Sequence, residues 1–156
     1  LCACFLTLAF RSIMQKINIA GSFRPTGTGE SFLSVHGWTR SPVTAYHIVQ
    51  AWDVVNPLSK PGITSVGTYT VDGTIYDVGV STTTGAPLHI SAPGTTSYQT
   101  YWSVSRANAT TAVDVAGHVA GWSGLGLSLG STWDWQLVIC SAKNSDGTCG
   151  IVSYEL

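Results

Sequence analysis

Residues 65–81 have the sequence SVGTYTVDGTIYDVGVS, and this stretch indicates the fold more directly than any other part of the chain. Two runs rich in Val, Thr, Ile and Tyr, which are residue types that favour strands, flank the dipeptide Asp72-Gly73. A type I′ turn needs positive φ at both of its central residues, and Asp-Gly is a preferred pair for it. The stretch therefore predicts a β-hairpin with strands at 65–71 and 74–81.

The pattern of short β-rich runs and turn residues continues along most of the chain. It predicts further strands at 31–35, 46–52, 97–105, 133–141 and 150–154. One stretch differs, because Val115, Val119 and Trp122 have the spacing of one stripe of a helix, predicted around 113–122 and ended by the glycines at 124 and 126. We therefore predict an all-β fold, a two-sheet antiparallel β-sandwich or jelly roll with one α-helix packed outside it.

Length and composition restrict the class of protein. The chain has 156 residues, which fits one domain. Only 10% of its residues are charged, against about 25% in an average soluble domain, and 18 serines and 19 threonines supply polar surface instead. The net charge of −1 excludes a strongly basic nucleic-acid-binding protein. The apolar run at 1–10 is shorter than the roughly 20 residues of a membrane-spanning helix. We expect a monomer that binds neither nucleic acid nor membrane.

The ends of the chain and its cysteines bear on the compartment. Residues 1–16 form an atypical segment, which we interpret as either a signal remnant or a truncation, and 17–156 form the domain. If the strands around the loop at 143–146 pair symmetrically, Cys140 lies opposite Cys149, which predicts a disulfide. Asn108 begins an Asn-Ala-Thr sequon and is a predicted glycosylation site. These features favour secretion, and two free thiols with an unused sequon remain the alternative.

Several motifs resemble those of glycoside hydrolase family 11, the endo-1,4-β-xylanases. They are SVHGWTRSP at 34–42, GTYTVDG at 67–73, YD at 76–77, YWSV at 101–104 and HVAGW at 118–122, followed by LG at 129–130. Their order and spacing match the family from about residue 17 to about residue 154. The resemblance implies a hand-shaped jelly roll whose concave sheet forms a cleft for xylan.

The resemblance also implies that the two catalytic carboxylates are replaced. A retaining glycosidase needs a nucleophile and an acid/base about 5–5.5 Å apart. The family motifs place Ala45 at the nucleophile and Ser141 at the acid/base, so no catalytic residue is intact. None of the eight carboxylates of the chain makes a convincing substitute pair by its position in the predicted strands.

Other positions of the motifs predict a substrate-binding face. The resemblance places two histidines and a tryptophan where the family has cleft tyrosines, and a threonine where it has a cleft glutamine. The predicted substrate-binding residues are His36, Trp38, Arg40, His47, Pro87, Thr100, Trp102 and Trp135. The alternatives are that the tryptophans fill the sheet face as core and that Arg40 only caps a turn. A metal site at His36 and His47 is disfavoured because zinc takes three or four protein ligands, so we expect neither metal nor cofactor.

Three hypotheses about function follow. The first is a secreted pseudoenzyme of the xylanase fold that binds xylan-type polysaccharide or acts as a decoy for a xylanase-binding protein. The second is an active endo-1,4-β-xylanase. The third is a decayed gene product that does not fold, suggested by the atypical residues 1–16.

Overall fold

The computed structural model describes residues 2–8, 16–20, 23, 29–87, 95–108, 112–142 and 153–155. Within these ranges the chain forms strands, one short 3-10 helix (Pro57–Ser59) and one α-helix, α1 (Val115–Gly124). The strands are β1 (Cys2–Leu8), β2 (Lys16–Ala20), β3 (Ser31–Arg40), β4 (Thr44–Asp53), β5 (Ile63–Val71), β6 (Thr74–Pro87), β7 (Thr95–Ser105), β8 (Val113–Asp114), β9 (Thr132–Ala142) and β10 (Ser153–Glu155).

The strands form two sheets, as predicted. The larger sheet has seven strands in the order β1-β9-β3-β4-β7-β6-β5, and the smaller has three in the order β10-β2-β8. Every pair is antiparallel except β4 with β7, which run parallel and so depart from the purely antiparallel prediction. Within the described ranges, no helix has the length and apolar character needed to cross a membrane.

The hairpin that the sequence indicated is present. Asp72 has φ 47° and Gly73 has φ 77°, so both central residues of the turn are in the left-handed region, as a type I′ turn requires. The turn joins β5 to β6, and the register pairs Val71 with Thr74. The prediction of this hairpin is confirmed.

The helix α1 begins two residues later than predicted. Val113 and Asp114 pair with β2 as the short strand β8, and the Asp114 carboxylate then accepts a hydrogen bond from the backbone N–H of Gly117 at 3.2 Å. This is a helix N-cap, and it fixes where α1 starts. Trp122 lies on the buried stripe as predicted, and His118 is buried beside it.

The C-terminal pairing corrects one prediction. Strand β9 is flanked by β1 and β3, so both of its edges are occupied, and β10 pairs with β2 in the smaller sheet instead of with β9. The predicted pairing of the strand at 133–141 with the strand at 150–154 is therefore wrong, whereas the disulfide between Cys140 and Cys149 stays a prediction. The backbone register places Cys4 opposite Cys140, which is buried and disulfide-bonded. The loop at 143–146 and Cys149 lie outside the described residues.

The core lies between one face of the seven-stranded sheet and the layer formed by α1 and the smaller sheet. We call this the core face, and it carries Val35, Tyr46, Ile48 and Val138, all buried. Trp122 of α1 packs on it, with 5.3 Å between its ring centroid and that of Tyr46.

A buried hydrogen-bond network joins α1 to the core face. The Trp122 indole N–H donates to Ser103 Oγ at 2.8 Å, Ser103 Oγ lies 2.6 Å from the Tyr69 hydroxyl, and that hydroxyl lies 2.7 Å from His118 Nδ1. His118 is fully buried, and its Nε2 has no hydrogen-bond partner among the described residues. Burial lowers the pKa of His118 to about 3, against a weaker raising effect of Asp72. The imidazole is therefore neutral in the folded protein at neutral and mildly acidic pH.

Acidification should weaken the fold through His118. Because its pKa is about 3 in the folded protein and 6.5 as an ordinary value, the unfolded chain binds a proton more readily throughout that window. The free energy of unfolding should thus fall as pH drops from 6.5 towards 3, by at most about 5 kcal/mol from this residue. In the H118Q variant that part of the pH dependence should disappear, as measured by urea unfolding at a series of pH values. If the free energies of unfolding of wild type and variant showed the same pH dependence, the assignment of this effect to His118 would be contradicted.

Two hydrogen bonds fix the loop that follows α1 to the end of β3 and the turn between β3 and β4. The backbone N–H of Gly130 donates to Thr39 Oγ1 at 2.8 Å, and that of Ser131 donates to the Ser41 carbonyl at 3.2 Å. A Cβ at Gly130 would overlap the carbonyl oxygens of Arg40 and Pro42, which belong to the backbone and cannot rotate away. Only glycine allows this approach.

We expect Gly130→Ala to lower the free energy of unfolding by about 1–3 kcal/mol, the usual range for a substitution that overpacks a filled site. Gly124, the last residue of α1, has nothing near the position of a Cβ and provides the control. Gly124→Ala should leave stability unchanged or raise it by up to about 1 kcal/mol. Denaturant unfolding of the two variants measures both, and equal effects would refute the steric argument.

Candidate functional site

The other face of the seven-stranded sheet carries a row of stacked rings. Side chains alternate between faces along a strand, and the register pairs His36 of β3 with His47 of β4, and His47 with Trp102 of β7. The ring centroids of His36 and His47 are 4.0 Å apart at 15°, and those of His47 and Trp102 are 4.2 Å apart at 11°. The three rings thus form one nearly parallel stack. We call the face that carries them the ring face.

Hydrogen bonds fix the protonation of His36. The Trp38 indole N–H, which can only donate, donates to His36 Nε2 at 3.1 Å. His36 Nδ1 lies 2.8 Å from the carbonyl oxygen of Tyr46, which can only accept. His36 is therefore a neutral imidazole with its proton on Nδ1, and both of its nitrogens are engaged.

His47 is also held neutral. Its Nδ1 lies 3.2 Å from Ser34 Oγ, and its ring is enclosed by His36 and Trp102. Burial, followed by the proximity of His36 and Lys60, lowers the pKa of His47 well below its ordinary value. Neither histidine of the stack is therefore suited to donate a proton as a general acid near neutral pH.

Further rings surround the stack. Trp38 is only 3% exposed, and Tyr98 contacts it edge-on with 4.8 Å between centroids. Trp135 of β9 packs edge-on against His36 at 5.3 Å. Trp102 donates its indole N–H to Ser81 Oγ at 3.1 Å. The structure therefore brings the predicted residues His36, Trp38, His47, Trp102 and Trp135 together, with Trp38 forming the floor and Trp102 and Trp135 half-buried.

The two positions that the motif resemblance assigns to the catalytic residues lie on the strands that flank β3. Ala45 of β4 is 1% exposed and lies opposite Trp38 on one side and Thr100 on the other. Ser141 of β9 is half-buried and lies opposite Phe32. Neither side chain can ionise as a carboxylate does, so neither can perform the nucleophilic or acid/base step at its position.

Five of the six carboxylates whose side chains the structure describes take part in an ion pair or a helix cap. Asp114 caps α1, and Asp53 lies at the end of β4 opposite Ser31. Asp72 and Asp114 line a separate cavity of about 190 Å³ and both raise the pKa of Lys16. Four carboxylates form ion pairs: Glu30 with Lys60, Asp72 with Lys16, Asp77 with Arg106 and Asp134 with Arg40. Asp146 and Glu155 have no described side chain.

The remaining predicted site residues have the following positions. Arg40 is held at 3.1 Å by the largely buried carboxylate of Asp134, a partner that the sequence analysis did not identify. Thr100 is 7% exposed and lies between Ala45 and Ser81 in the register. Pro87 ends β6, and its side chain is outside the described residues.

The predicted glycosylation site has defined contacts. Asn108 Oδ1 accepts from the backbone N–H of Trp52 at 2.6 Å, and its Nδ2 donates to the carbonyl of the same residue at 3.1 Å. Glycosylation of Asn108 stays a prediction. Among the described residues, no group of three or more His, Cys, Asp or Glu side chains could hold a metal ion.

The two sheets, the single helix and the ring face define a β-jelly-roll protein of the xylanase type. A solved endo-1,4-beta-xylanase structure from Trichoderma reesei matches it with a TM-score of 0.75 and 30% sequence identity, over 88% of this chain and 72% of that chain. The family model described as Glycosyl hydrolases family 11 matches residues 11–152. The chain therefore belongs to glycosyl hydrolase family 11.

Its relatives include fungal xylanases. Endo-1,4-beta-xylanase 3 of Pyricularia oryzae is 39% identical over 138 residues, which are 88% of this chain and 56% of the relative. Ethylene-inducing xylanase 1 of Verticillium dahliae is 40% identical over 135 residues, 86% of this chain and 57% of the relative. The chain thus spans little more than half the length of these curated relatives.

We expect the Nδ1–H tautomer of His36 to be directly observable. Long-range ¹H–¹⁵N spectra should show His36 with its proton on Nδ1 at neutral pH, because Trp38 can only donate to Nε2. In the Trp38→Phe variant the Nε2 resonance should move while the proton stays on Nδ1, since the contact with Tyr46 remains. An Nε2–H tautomer in the wild-type protein would show that the hydrogen-bond assignment is wrong.

Proposed function

We propose that this member of glycosyl hydrolase family 11 has lost glycosidase activity and binds xylan-type polysaccharide on its ring face. The observation that carries the proposal is the composition of that face. A stack of neutral rings occupies it, and the positions that the sequence motifs assign to both catalytic carboxylates hold Ala45 and Ser141.

The ring face suits a neutral sugar polymer. Aromatic rings offer large apolar area at low entropic cost, and they pack against the C–H faces of pyranose rings. Trp102 is half-buried and stacked by His47 on one side, and Trp135 and Tyr98 make edge contacts within the cluster. We infer that these three rings contact the polymer, with Trp38 beneath them.

The histidines described on the same face are poorly suited to the proton transfers that hydrolysis requires. Positioned acid/base groups contribute about 10²–10⁴-fold each to such reactions. His36 uses both nitrogens in hydrogen bonds, and the pKa of His47 is far too low for it to act as an acid at neutral pH. The Asp134 carboxylate forms an ion pair with Arg40.

Secretion and a monomeric state are part of the proposal. The disulfide at Cys140 supports an oxidising compartment, where structural disulfides persist. Binding to a protein that recognises xylanases is the alternative for a partner. The alternative activity is that of a working endo-1,4-beta-xylanase, which the names of the relatives favour.

Xylan binding and hydrolysis can be measured on the same preparations. We expect the wild-type protein to be retained by insoluble xylan and to release no reducing sugar from it at high protein concentration. Trp102→Ala should weaken retention about tenfold, because a lost aromatic contact costs on the order of 1 kcal/mol or more. Ile75→Ala, an exposed residue of the β5–β6 hairpin, provides the control and should bind as wild type does.

Three results would overturn the proposal. Reducing-sugar release that disappears on substitution of a single Asp or Glu would establish an active glycosidase. Unchanged retention of Trp102→Ala, or no retention of the wild-type protein, would exclude the ring face as the binding site and would favour a protein partner.

A further inference from the structure

We propose that a cavity on the reverse side of the seven-stranded sheet is a second binding site, for a small uncharged sugar. The cavity has a volume of about 430 Å³, within the range of roughly 300–1,000 Å³ that is typical of small-molecule sites. It lies between the β3–β4 turn, the C-terminal half of β6 with the N-terminal half of β7 that pairs with it, and the loop after α1.

The register places the central row of this cavity on the side of the sheet opposite the ring face, although Tyr98, which contacts Trp38 edge-on, also lines the cavity. Thr44 pairs with Gln99 across β4 and β7, and Gln99 pairs with Thr82 across β7 and β6, so these three residues form one row. Thr44 is adjacent to Ala45 along β4. Because neighbouring side chains point to opposite faces, the row lies on the core-face side, beyond the end of the core.

The lining has the chemistry of a polyol site. Its ten residues include threonines, serines, a glutamine and two tyrosines, and none of them carries a charge. Hydroxyl and amide groups both donate and accept hydrogen bonds, as sugar hydroxyls do. An ionised ligand would have no counter-charge there, whereas Pro42 and Val43 provide an apolar wall for the C–H face of a pyranose.

The donors of the row are available. The Tyr101 hydroxyl donates to the Ser128 carbonyl at 2.9 Å and lies 3.5 Å from Gln99 Oε1. The amide nitrogen of Gln99 makes no hydrogen bond within the described part of the chain, and Gln99 is exposed at the cavity. Gln99 therefore has two N–H donors to offer a ligand.

The walls are preformed. The bond from Tyr101 to Ser128 ties the loop after α1 to β7, and the hydrogen bond from Gly130 to Thr39 ties the same loop to β3. A cavity whose walls are fixed before binding loses little conformational entropy when a ligand enters. The site is thus built into the fold, independently of any ligand on the ring face.

Xylobiose and glucuronate are suitable probes. Their binding can be monitored through the backbone amide NMR shifts of the isotope-labelled full chain. Xylobiose should cause saturable shifts at Gln99 and Ser128, and glucuronate should bind more weakly there. Gln99→Leu should weaken xylobiose binding at these amides about tenfold, the cost of losing a hydrogen-bonding group. Thr68→Val, at an exposed residue of β5, is the matched control and should leave binding unchanged.

The outcomes separate this site from the proposed function. If Trp102→Ala weakens xylan retention while the shifts at Gln99 persist, the cavity is an independent site. Shifts confined to the ring face, no saturable shift at Gln99 and Ser128, or equal binding by wild type and Gln99→Leu would each overturn the second site. Loss of xylan binding at the ring face, with the shifts at Gln99 and Ser128 retained, would contradict the proposed function and support the second site.

Discussion

The division of the seven-stranded sheet into two unlike faces is the constraint on which the rest of the structure depends. One face must be buried, and α1 covers it through Trp122, with His118 linked to Ser103 by way of the Tyr69 hydroxyl. Because side chains alternate along each strand, burying Val35 and Tyr46 places their neighbours His36 and His47 on the opposite face. The ring face is therefore a consequence of how the core is made.

The chemistry of the ring face follows from what those neighbours are. Carboxylates facing each other across a groove would supply the nucleophile and the acid of a retaining glycosidase. Here the space is lined by imidazole and indole rings that pack on one another and hold their protons in fixed hydrogen bonds, as at His36. Within the described residues, the two histidines of the stack are not suited to exchange protons near neutral pH.

Much of the fold and part of the site could be predicted from sequence. The Asp72-Gly73 turn, the position of α1 and the family were evident because each rests on local residue patterns. Strand ends were underestimated, since Thr39 and other polar residues continue β3 by pairing rather than by propensity. The pairing of β10 with β2 could not be foreseen, because it depends on β9 already having two neighbours.

The sequence by itself determined the family, the all-β architecture with one helix, and the absence of glutamate at positions 45 and 141, because these follow from residue identity and short-range spacing. The tertiary structure alone decided that His36 and His47 stack on Trp102, that Asp134 is held by Arg40, and that Thr44, Gln99 and Thr82 line one cavity. These contacts join residues far apart in the chain. Strand register brings them together, and register is set by the whole sheet rather than by any one segment.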